Sequence, residues 1–556
     1  MSSSDHEKLV RFSIAEIPII RTFIEKLNIA SIFTEYIPRK KNEALSVADS
    51  LILIIYNITI GRDPLYMLKE WVLKIAQHAH NIHFDNSFLI NDDRFARALD
   101  KLYQADRASI LTSLVIHMIK SFKINTDQIH NDSTTVKACG VIPGTTDTGF
   151  TLAHGKSKDH RPDLKQLLYC LSISADGGVP IHYKTYPGNR TDDTTHIETW
   201  KMLAKIVNRT DFLYVADCKV CTHHQLSTIV RQGGRVITII PETWKEVNDF
   251  KKQQKKSSEK KIFLWQRPIP NNQKETEQFF LFQGDYFSYK NGYRIHWIFS
   301  TEKQKNDKAR REKILGIVDK KLERLLPRLN KYHLKTKKEI QDKINQIFAH
   351  YKAGDMIKIS LKEKKTIIRK QIGKGRPGLN TKYKKSISTK YILYWEYNEE
   401  IIHQMERIDG IFPILSTDTT ITAEHALKAY KYQPHLEKRF TQFKSIHEAA
   451  PLLFKKIRRI ESVMFLFFIS LMIQALIERS IRKKMKEKKL KFLSIYPEYR
   501  KSPHPTTSQI FRLFEDISSY QLQNEGEITR EFYDDLSSVH KQILELLEIS
   551  ENEYWH

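Results

Sequence analysis

IHNDSTTV, residues 129–136, opens a run of short segments rich in β-branched and aromatic residues, where the chain before it had followed helical spacing. QLLYCLSIS (166–174) and VPIHYKTY (179–186) follow, and the ADGG between them has the composition of a tight turn, which predicts a hairpin. A helical stretch at 194–207 comes next, then FLYVA (212–216) running into Asp217. A second helical stretch, THHQLSTIVRQ, leads to the strand-like RVITII at 235–240.

Three strands in meander, a helix, a strand, a helix and a strand is the order of a ribonuclease H-like α/β fold. The acids fall where that order makes them chemical. Asp132 lies in the first strand and Asp217 at the carboxyl end of the fourth, and in such a fold these strands are neighbours. Two converging carboxylates repel unless a cation binds between them, and oxygen-only donors favour Mg²⁺ or Mn²⁺. Taken singly, each aspartate reads equally well as a cap on a turn or helix.

Working outward, residues 1–125 are expected to form an all-helical N-terminal domain. The apolar residues of ALSVADSLILIIYNI (44–58), PLYMLKEWVLKIA (64–76) and ASILTSLVIHMIKSF (108–122) recur at helical spacing. That unit reads either as a plain helical bundle or as a domain binding DNA ends. Residues 126–241 would be the first part of the core, 242–425 a large, basic, mixed β/helical insertion, 426–485 the second part of the core, and 486–556 a helical C-terminal tail. The chain of 556 residues is too long for one compact core. Its formal net charge of +26 exceeds what solubility needs and points to a polyanionic partner, nucleic acid before membrane.

Four cysteines, Cys139, Cys170, Cys218 and Cys221, are too few for a disulfide scaffold and suit a reducing compartment. The N-terminus shows no apolar signal core. Val463–Leu476 is short of the roughly 20 residues needed to span a bilayer, so a buried helix and a cytoplasmic protein without membrane partner are expected. Cys218, Cys221, His223 and His224 in DCKVCTHH have no second ligand pair to complete a structural zinc site.

Other basic segments bear on function. GKSKDHRPDLKQLLYCL (155–171) places Lys156, Lys158, His160, Arg161 and Lys165 just before the second strand, as a loop for the phosphodiester backbone or as an ordinary solvated loop. Within the insertion, strand-like runs precede Lys/Glu-rich helices at about 303–326 and 335–352, and Trp297 and Trp395 read as core residues or as a base-stacking platform. GKGRPG (373–378) resembles half of an AT-hook, whose Arg376 would enter a narrow minor groove; a disordered basic loop explains it equally.

YKYQPHLEKRFTQFK (430–444) supplies a third acid, Glu437. On a continuous helix Tyr430, Gln433, Glu437 and Lys444 share one face. Pro434 instead predicts a helix starting there, with Tyr430–Gln433 in a preceding turn. The spacing resembles the Tyr-x2-Arg-x3-Glu-x6-Lys pattern of DDE-type transposases of bacterial insertion sequences, with Gln433 where the pattern has Arg. NDSTT, the GKSKDHRPDLKQ run, PGNRTDD, VAD ending at Asp217 and ALIERSIRKKM add to the resemblance, which spans roughly 45–510. It implies that Asp132, Asp217 and Glu437 are catalytic and hold two Mg²⁺ or Mn²⁺ ions. It also implies that Tyr430, Gln433 and Lys444 contact DNA, and that a dimer brings two element ends together. The substrates would be double-stranded terminal inverted repeats and target DNA. The alternative is a transposase-derived DNA-binding protein that no longer cuts.

Overall fold

The computed structural model describes residues 7–39, 43–61, 63–84, 87–140, 144–146, 149–156, 158, 161–256, 259–269, 272–378, 381–449, 452, 454–496, 500–524 and 527–556. It is a mixed α/β protein of two compact units, one made of 1–238 and 426–556, the other of 239–425.

The first unit begins with β1 (Lys8–Ser13) and seven helices: α1 (Ile17–Lys26), α2 (Ile29–Tyr36), α3 (Val47–Ile60), α4 (Leu68–Lys74), α5 (Gln77–His80), α6 (Asp92–Gln104) and α7 (Arg107–Phe122). Then come β2 (Gln128–Lys137), β3 (Gln166–Ser174), β4 (Pro180–Pro187), α8 (His196–Val207), β5 (Leu213–Ala216), α9 (His223–Arg231) and β6 (Arg235–Ile239). These strands lie in the order β4–β3–β2–β5–β6. The first three are antiparallel neighbours, whereas β2–β5 and β5–β6 are parallel, each reached through a helical crossover. β3, an apolar run buried along its whole length, sits between β4 and β2. The ADGG turn closes β3 onto β4, with Gly177 and Gly178 at φ +82° and +66°, a left-handed region that side chains rarely adopt.

In the second unit follow α10 (Lys245–Lys256), β7 (Lys261–Ile269), β8 (Asn272–Phe282), β9 (Tyr286–Phe287), β10 (Arg294–Ser300), α11 (Thr301–Glu323), α12 (Lys337–Tyr351), β11 (Ile357–Gln371), β12 (Tyr383–Tyr397), α13 (Glu399–Glu406) and β13 (Ile411–Ser416). One sheet runs β13–β10–β8–β7, with β9 also on β10. Trp297 lies in its core, face to face with Phe250 at 3.9 Å between ring centroids, so it offers no platform for a base. β11 and β12 form a separate two-stranded ribbon. Only its base is packed: Ile357 and Leu393 are buried with Leu315, Val318 and Leu322 of α11 and Ile340 and Ile344 of α12. Trp395 packs against this cluster and donates Nε1–H to Asp319 at 3.0 Å, and so it too is structural.

The chain returns to the first unit at Ala426, within α14 (Ala423–Tyr430). It continues through α15 (Pro434–Thr441), a π-helical turn (Gln442–Ile446), α16 (Ile457–Glu487), α17 (Thr507–Phe514), β14 (Ser518–Asn524), β15 (Glu527–Tyr533), α18 (Ser538–Leu547) and α19 (Glu551–Trp555). α16 is long and apolar enough to cross a membrane by length and composition, yet that apolar stretch is buried inside the unit. It is the core helix. Ser462 Oγ donates to Leu99 O (2.7 Å), Gln474 Nε2 to Thr59 O (2.9 Å), and Arg107 pairs with Glu461 at 2.7 Å. Tyr183 of β4 stacks on Phe468 at 5.0 Å from another side.

Two expectations are corrected here. Residues 1–125 do not stand apart as a helical domain, because α3 and α6 share the α16 core, and β1 at their head is a strand. The tail from 486 is not wholly helical. β1 pairs antiparallel with β14, which pairs with β15, giving a sheet that joins the two ends of the chain. Arg21 donates to Glu553 O, and Tyr554 Oη to Ala15 O at 2.6 Å.

Candidate active site

The parallel register between β2 and β5 pairs Asn131 with Ala216. The next residue on each side is an aspartate, Asp132 and Asp217, so the two acids stand beside each other on adjacent strands. Both are partly exposed, at 22% and 38% of the side chain. Asp132 Oδ1 accepts from Ser133 N at 2.7 Å and lies 3.5 Å from Lys158 Nζ. Lys158 is fastened along β2: its backbone N donates to Thr135 Oγ1 (3.0 Å) and its ammonium to Ser133 O and Ser133 Oγ. Asp217 Oδ1 accepts from Lys219 N at 3.0 Å, and its carbonyl accepts from Thr238 Oγ1 at 2.8 Å.

A buried histidine not foreseen in the sequence stands behind Asp217. His196, at the start of α8, is 2% exposed, with Nε2 4.0 Å from Asp217 Oδ1. Its Nδ1 meets Tyr214 Oη at 3.0 Å and Asn131 Nδ2 at 3.5 Å. The Asn131 amide nitrogen can only donate, which makes Nδ1 the acceptor and leaves the Tyr214 hydroxyl, kept protonated by burial, to donate to it as well. The ring proton therefore sits on Nε2, facing Asp217. Ser172 Oγ donates to Asn131 Oδ1 at 2.8 Å, which holds that amide in place.

α15 begins at Pro434, where a first helical turn tolerates proline, and Tyr430 ends α14 before the intervening turn. Glu437 is exposed on the first turn of α15. Lys444 falls in the π-helical turn, whose wider winding takes it out of strict seven-residue alignment with Glu437. Tyr430 is half-buried, and its phenol pKa is raised, first by burial and then by the charges of Asp217, Cys218, Glu437 and Asp132. One phenol thus lies within the field of all three acids.

Gln433 corrects its expected role as a DNA contact. It is 8% exposed, and its Oε1 accepts from His130 Nδ1 at 2.8 Å while Nε2 donates to Asn131 O at 3.3 Å. His130 Nε2 in turn accepts from Gln128 Nε2 at 2.7 Å. Burial lowers the His130 pKa to about 4, with the Gln433 hydrogen bond working against it, so the ring is neutral and holds one tautomer. Gln433 staples the start of α15 to the strand that carries Asp132. Two residues past Glu437, Arg439 does similar work and was also missed. It donates Nε to Gly178 O (3.0 Å), Nη2 to Gly177 O (3.1 Å) and Nη1 to Glu478 of α16 (2.9 Å). Its only sequence signal was a conventional Lys-Arg pair on a helix.

The remaining candidates are dispersed. Lys156 and Lys165 are exposed in the loop before β3. Arg161 is engaged by Asp163 through two bonds of 2.8 and 2.7 Å. His160 lies outside the described residues. Arg376 is exposed at the tip of the β11–β12 ribbon in the second unit. Among the described residues, no three His, Cys, Asp or Glu side chains gather into a ready-made metal cage. The donor chemistry of Asp132, Asp217 and Glu437, oxygen only, nevertheless suits a hard divalent cation.

Residues 11–116 match a family model described as a domain of unknown function, DUF4277. No curated protein matches the sequence. A cryo-EM structure of the piggyBac transposase synaptic complex with hairpin DNA is similar over 90% of this chain and 79% of that one, at 8% identity and a TM-score of 0.36. That likeness is too slight to carry an argument.

Proposed function

We propose that this protein is a DDE-type transposase with a ribonuclease H-like core, which binds the ends of an insertion sequence, cleaves DNA there and joins it to a target. The observation that carries the reading is the β2–β5 register, which sets Asp132 beside Asp217, with Tyr430 in the field of both and of Glu437. The strand order β4–β3–β2–β5–β6, with its switch from antiparallel to parallel pairing, supports the core assignment.

In this reading Asp132, Asp217 and Glu437 hold Mg²⁺ or Mn²⁺, two ions per site. Bound there, such ions supply charge neutralisation at the scissile phosphate and lower the pKa of the attacking water or 3′-hydroxyl. The chain's own residues prepare the site. His196 backs Asp217, with Nε2 4.0 Å from Oδ1, and Gln433 and Arg439 fix α15, the helix that carries Glu437. Tyr430, kept protonated by burial and the neighbouring acids, donates a hydrogen bond to the phosphate. Lys158 neutralises Asp132, and Lys156, Lys165 and Lys444 contact the backbone of duplex DNA. A second copy of the chain serves the second element end.

The test is incubation of purified protein with its element ends and Mg²⁺ or Mn²⁺. Nicking and strand transfer are expected, with both lost in Asp132→Ala and Asp217→Ala at unchanged duplex affinity. Persistence of cleavage in either variant refutes the assignment. A second reading, a DNA-binding protein that no longer cuts, is favoured by the lack of a gathered triad among the described residues. It predicts duplex binding with no cleavage in the parent chain.

A further inference from the structure

β11 and β12 pair without a bulge over fifteen residues, from Ile357↔Tyr397 to Gln371↔Tyr383. The last supported pair is Glu363↔Tyr391: Tyr391 packs against the α11–α12 cluster and exchanges two backbone bonds with the Asn330 side chain, and beyond it the ribbon leaves its support. From Lys362 to Lys370 every residue of β11 is exposed, and the facing part of β12 is exposed or half-buried. An isolated two-stranded hairpin is marginal in water, yet this one extends about 26 Å past its base, eight residues at about 3.3 Å each.

The side chains it displays work against its own stability. Residues 362–392 contain eleven Lys and Arg and one acid, Glu363. Register places cations directly opposite one another: Lys364↔Lys390, Arg369↔Lys385 and Lys370↔Lys384. Like charges so placed destabilise a strand pair. None of these six has an ion-pair partner among the described residues. Because side chains alternate, the Arg369–Lys385 pair lies on one face and the other two pairs on the opposite face. On the first of those faces Ile367 and Ile387 sit opposite each other, 66% and 69% exposed. At the tip Gly373 and Gly375 take positive φ, and Gln371 Nε2 donates to Gly375 O at 2.9 Å, which shapes the loop that presents Lys374 and Arg376.

We infer that the distal half of the β11–β12 ribbon is a duplex-DNA-binding arm that lies along the major groove. The major groove admits a two-stranded ribbon, and about 26 Å covers roughly three quarters of one helical turn of duplex. Cations on both faces meet the phosphates on the two groove walls, which relieves the repulsion between opposed pairs. The Ile367–Ile387 pair supplies an apolar centre for base edges such as the thymine methyl. The inference rests on the reading that the protein acts on DNA, but not on its cutting DNA.

The test is salt-dependent duplex binding by the full-length chain, followed by fluorescence anisotropy. In the ribbon variant, Lys364, Arg369, Lys370, Lys384, Lys385 and Lys390 are changed to Gln, which removes repulsion and leaves the packed base intact. In the matched control, six exposed lysines of α11 and α12 (Lys308, Lys313, Lys320, Lys337, Lys338, Lys343) are changed to Gln. The ribbon variant should bind at least about tenfold more weakly, with the slope of log K against log salt shallower by about 5, at roughly 0.9 for each phosphate that is no longer neutralised. The control should stay within about threefold of the parent. Equal losses in the two variants overturn the inference. So does a ribbon variant that keeps duplex affinity but loses single-stranded RNA or phosphatidylserine vesicles. Ribbon-dependent duplex binding by a parent protein that never cleaves sustains the arm while the transposase reading fails. Parent-like duplex binding by the ribbon variant, with cleavage lost only in Asp132→Ala, does the reverse.

Discussion

Replacing Gln433 with arginine restores the residue that the Tyr-x2-Arg-x3-Glu-x6-Lys pattern has at this position, and the structure predicts that the restoration is harmful. Gln433 accepts from His130 Nδ1–H and donates to Asn131 O within a space that leaves it 8% exposed. A guanidinium has only donors, so the His130 N–H loses its acceptor, at a cost of about 1–3 kcal/mol. Moving the proton to Nε2 would rescue that bond only if the Gln128 amide also turned over, because Gln128 Nε2 already faces His130 Nε2 at 2.7 Å. The new charge would still be buried with no carboxylate on the staple, a penalty of several kcal/mol before relaxation. A net loss of about 3 kcal/mol follows, with a fall in melting temperature of roughly 4–8 °C. Gln433→Leu, which orphans the same groups without a charge, should lose about 1–3 kcal/mol. Thermal melting followed by circular dichroism reads both losses. Cleavage by the Leu variant should fall at unchanged duplex affinity, since the residue positions α15 and does not touch DNA. A Gln433→Arg protein that melts like the parent and binds duplex more tightly at equal salt would refute the reasoning.

Glu478 is 3% exposed and joins Arg439, Gln442 and Thr507; burial pushes its pKa up, but the charges of Arg439 and Arg482 and the Thr507 amide outweigh that and leave it lowered. Glu478→Gln leaves Arg439 buried with a neutral partner and should cost about 3–5 kcal/mol in thermal or urea unfolding, with cleavage reduced as α15 loosens. Gly177→Ala should cost about 1–3 kcal/mol, because its φ is +82° and the new Cβ would lie 2.8 Å from Arg479 side-chain carbons; melting of the single variant checks this. His182 is buried, and burial, helped by Lys184 and opposed by Glu198, lowers its pKa to about 4. As pH falls the unfolded chain takes up this proton first, near 6.5, so the contribution to stability is full above that pH and lost on the way to about 4. At most about 3 kcal/mol is involved, and the unfolding free energy of His182→Leu should vary less with pH between 6.5 and 4.

The strands from 129 to 240 were legible because each is a compact β-branched or aromatic run bounded by turn residues or by a helical pattern. β3 is an extreme case, buried along its whole length and apolar almost throughout. The placement of Asp132 and Asp217 followed from those strands alone. β1 and β14 were not legible: KLVRFS is short and SSYQLQN largely polar, and β1 becomes a strand only against a partner some 500 positions away. Of the ribbon, strand signals were legible only in YILYWEY (391–397), at the base of β12, and the rest was missed for another reason. LKEKKTIIRKQ shows neither alternation nor burial, and its pairing with YKKSISTKYIL is apparent only once the intervening loop is closed. Gln433 was misjudged, and Arg439 overlooked, because polar chemistry that suits a ligand also suits the backbone carbonyls of a neighbouring strand or turn.

The pairing of β1 with β14 also sets a clock. On the ribosome the partners of Lys8–Ser13, at Ser518–Gln523, emerge about 500 residues after them. At roughly 5–20 residues per second that is an interval of about 25–100 s. Throughout it, the edge that β1 will occupy does not yet exist, although residues 239–425, the second compact unit, emerge in full before it ends. A chain cut short between α16 and β14 would carry Asp132, Asp217 and Glu437 but leave β1 without the strand it pairs with. Until β14 is made, β1 stays an unpaired strand, and the sheet it belongs to is among the last parts of the unit to close.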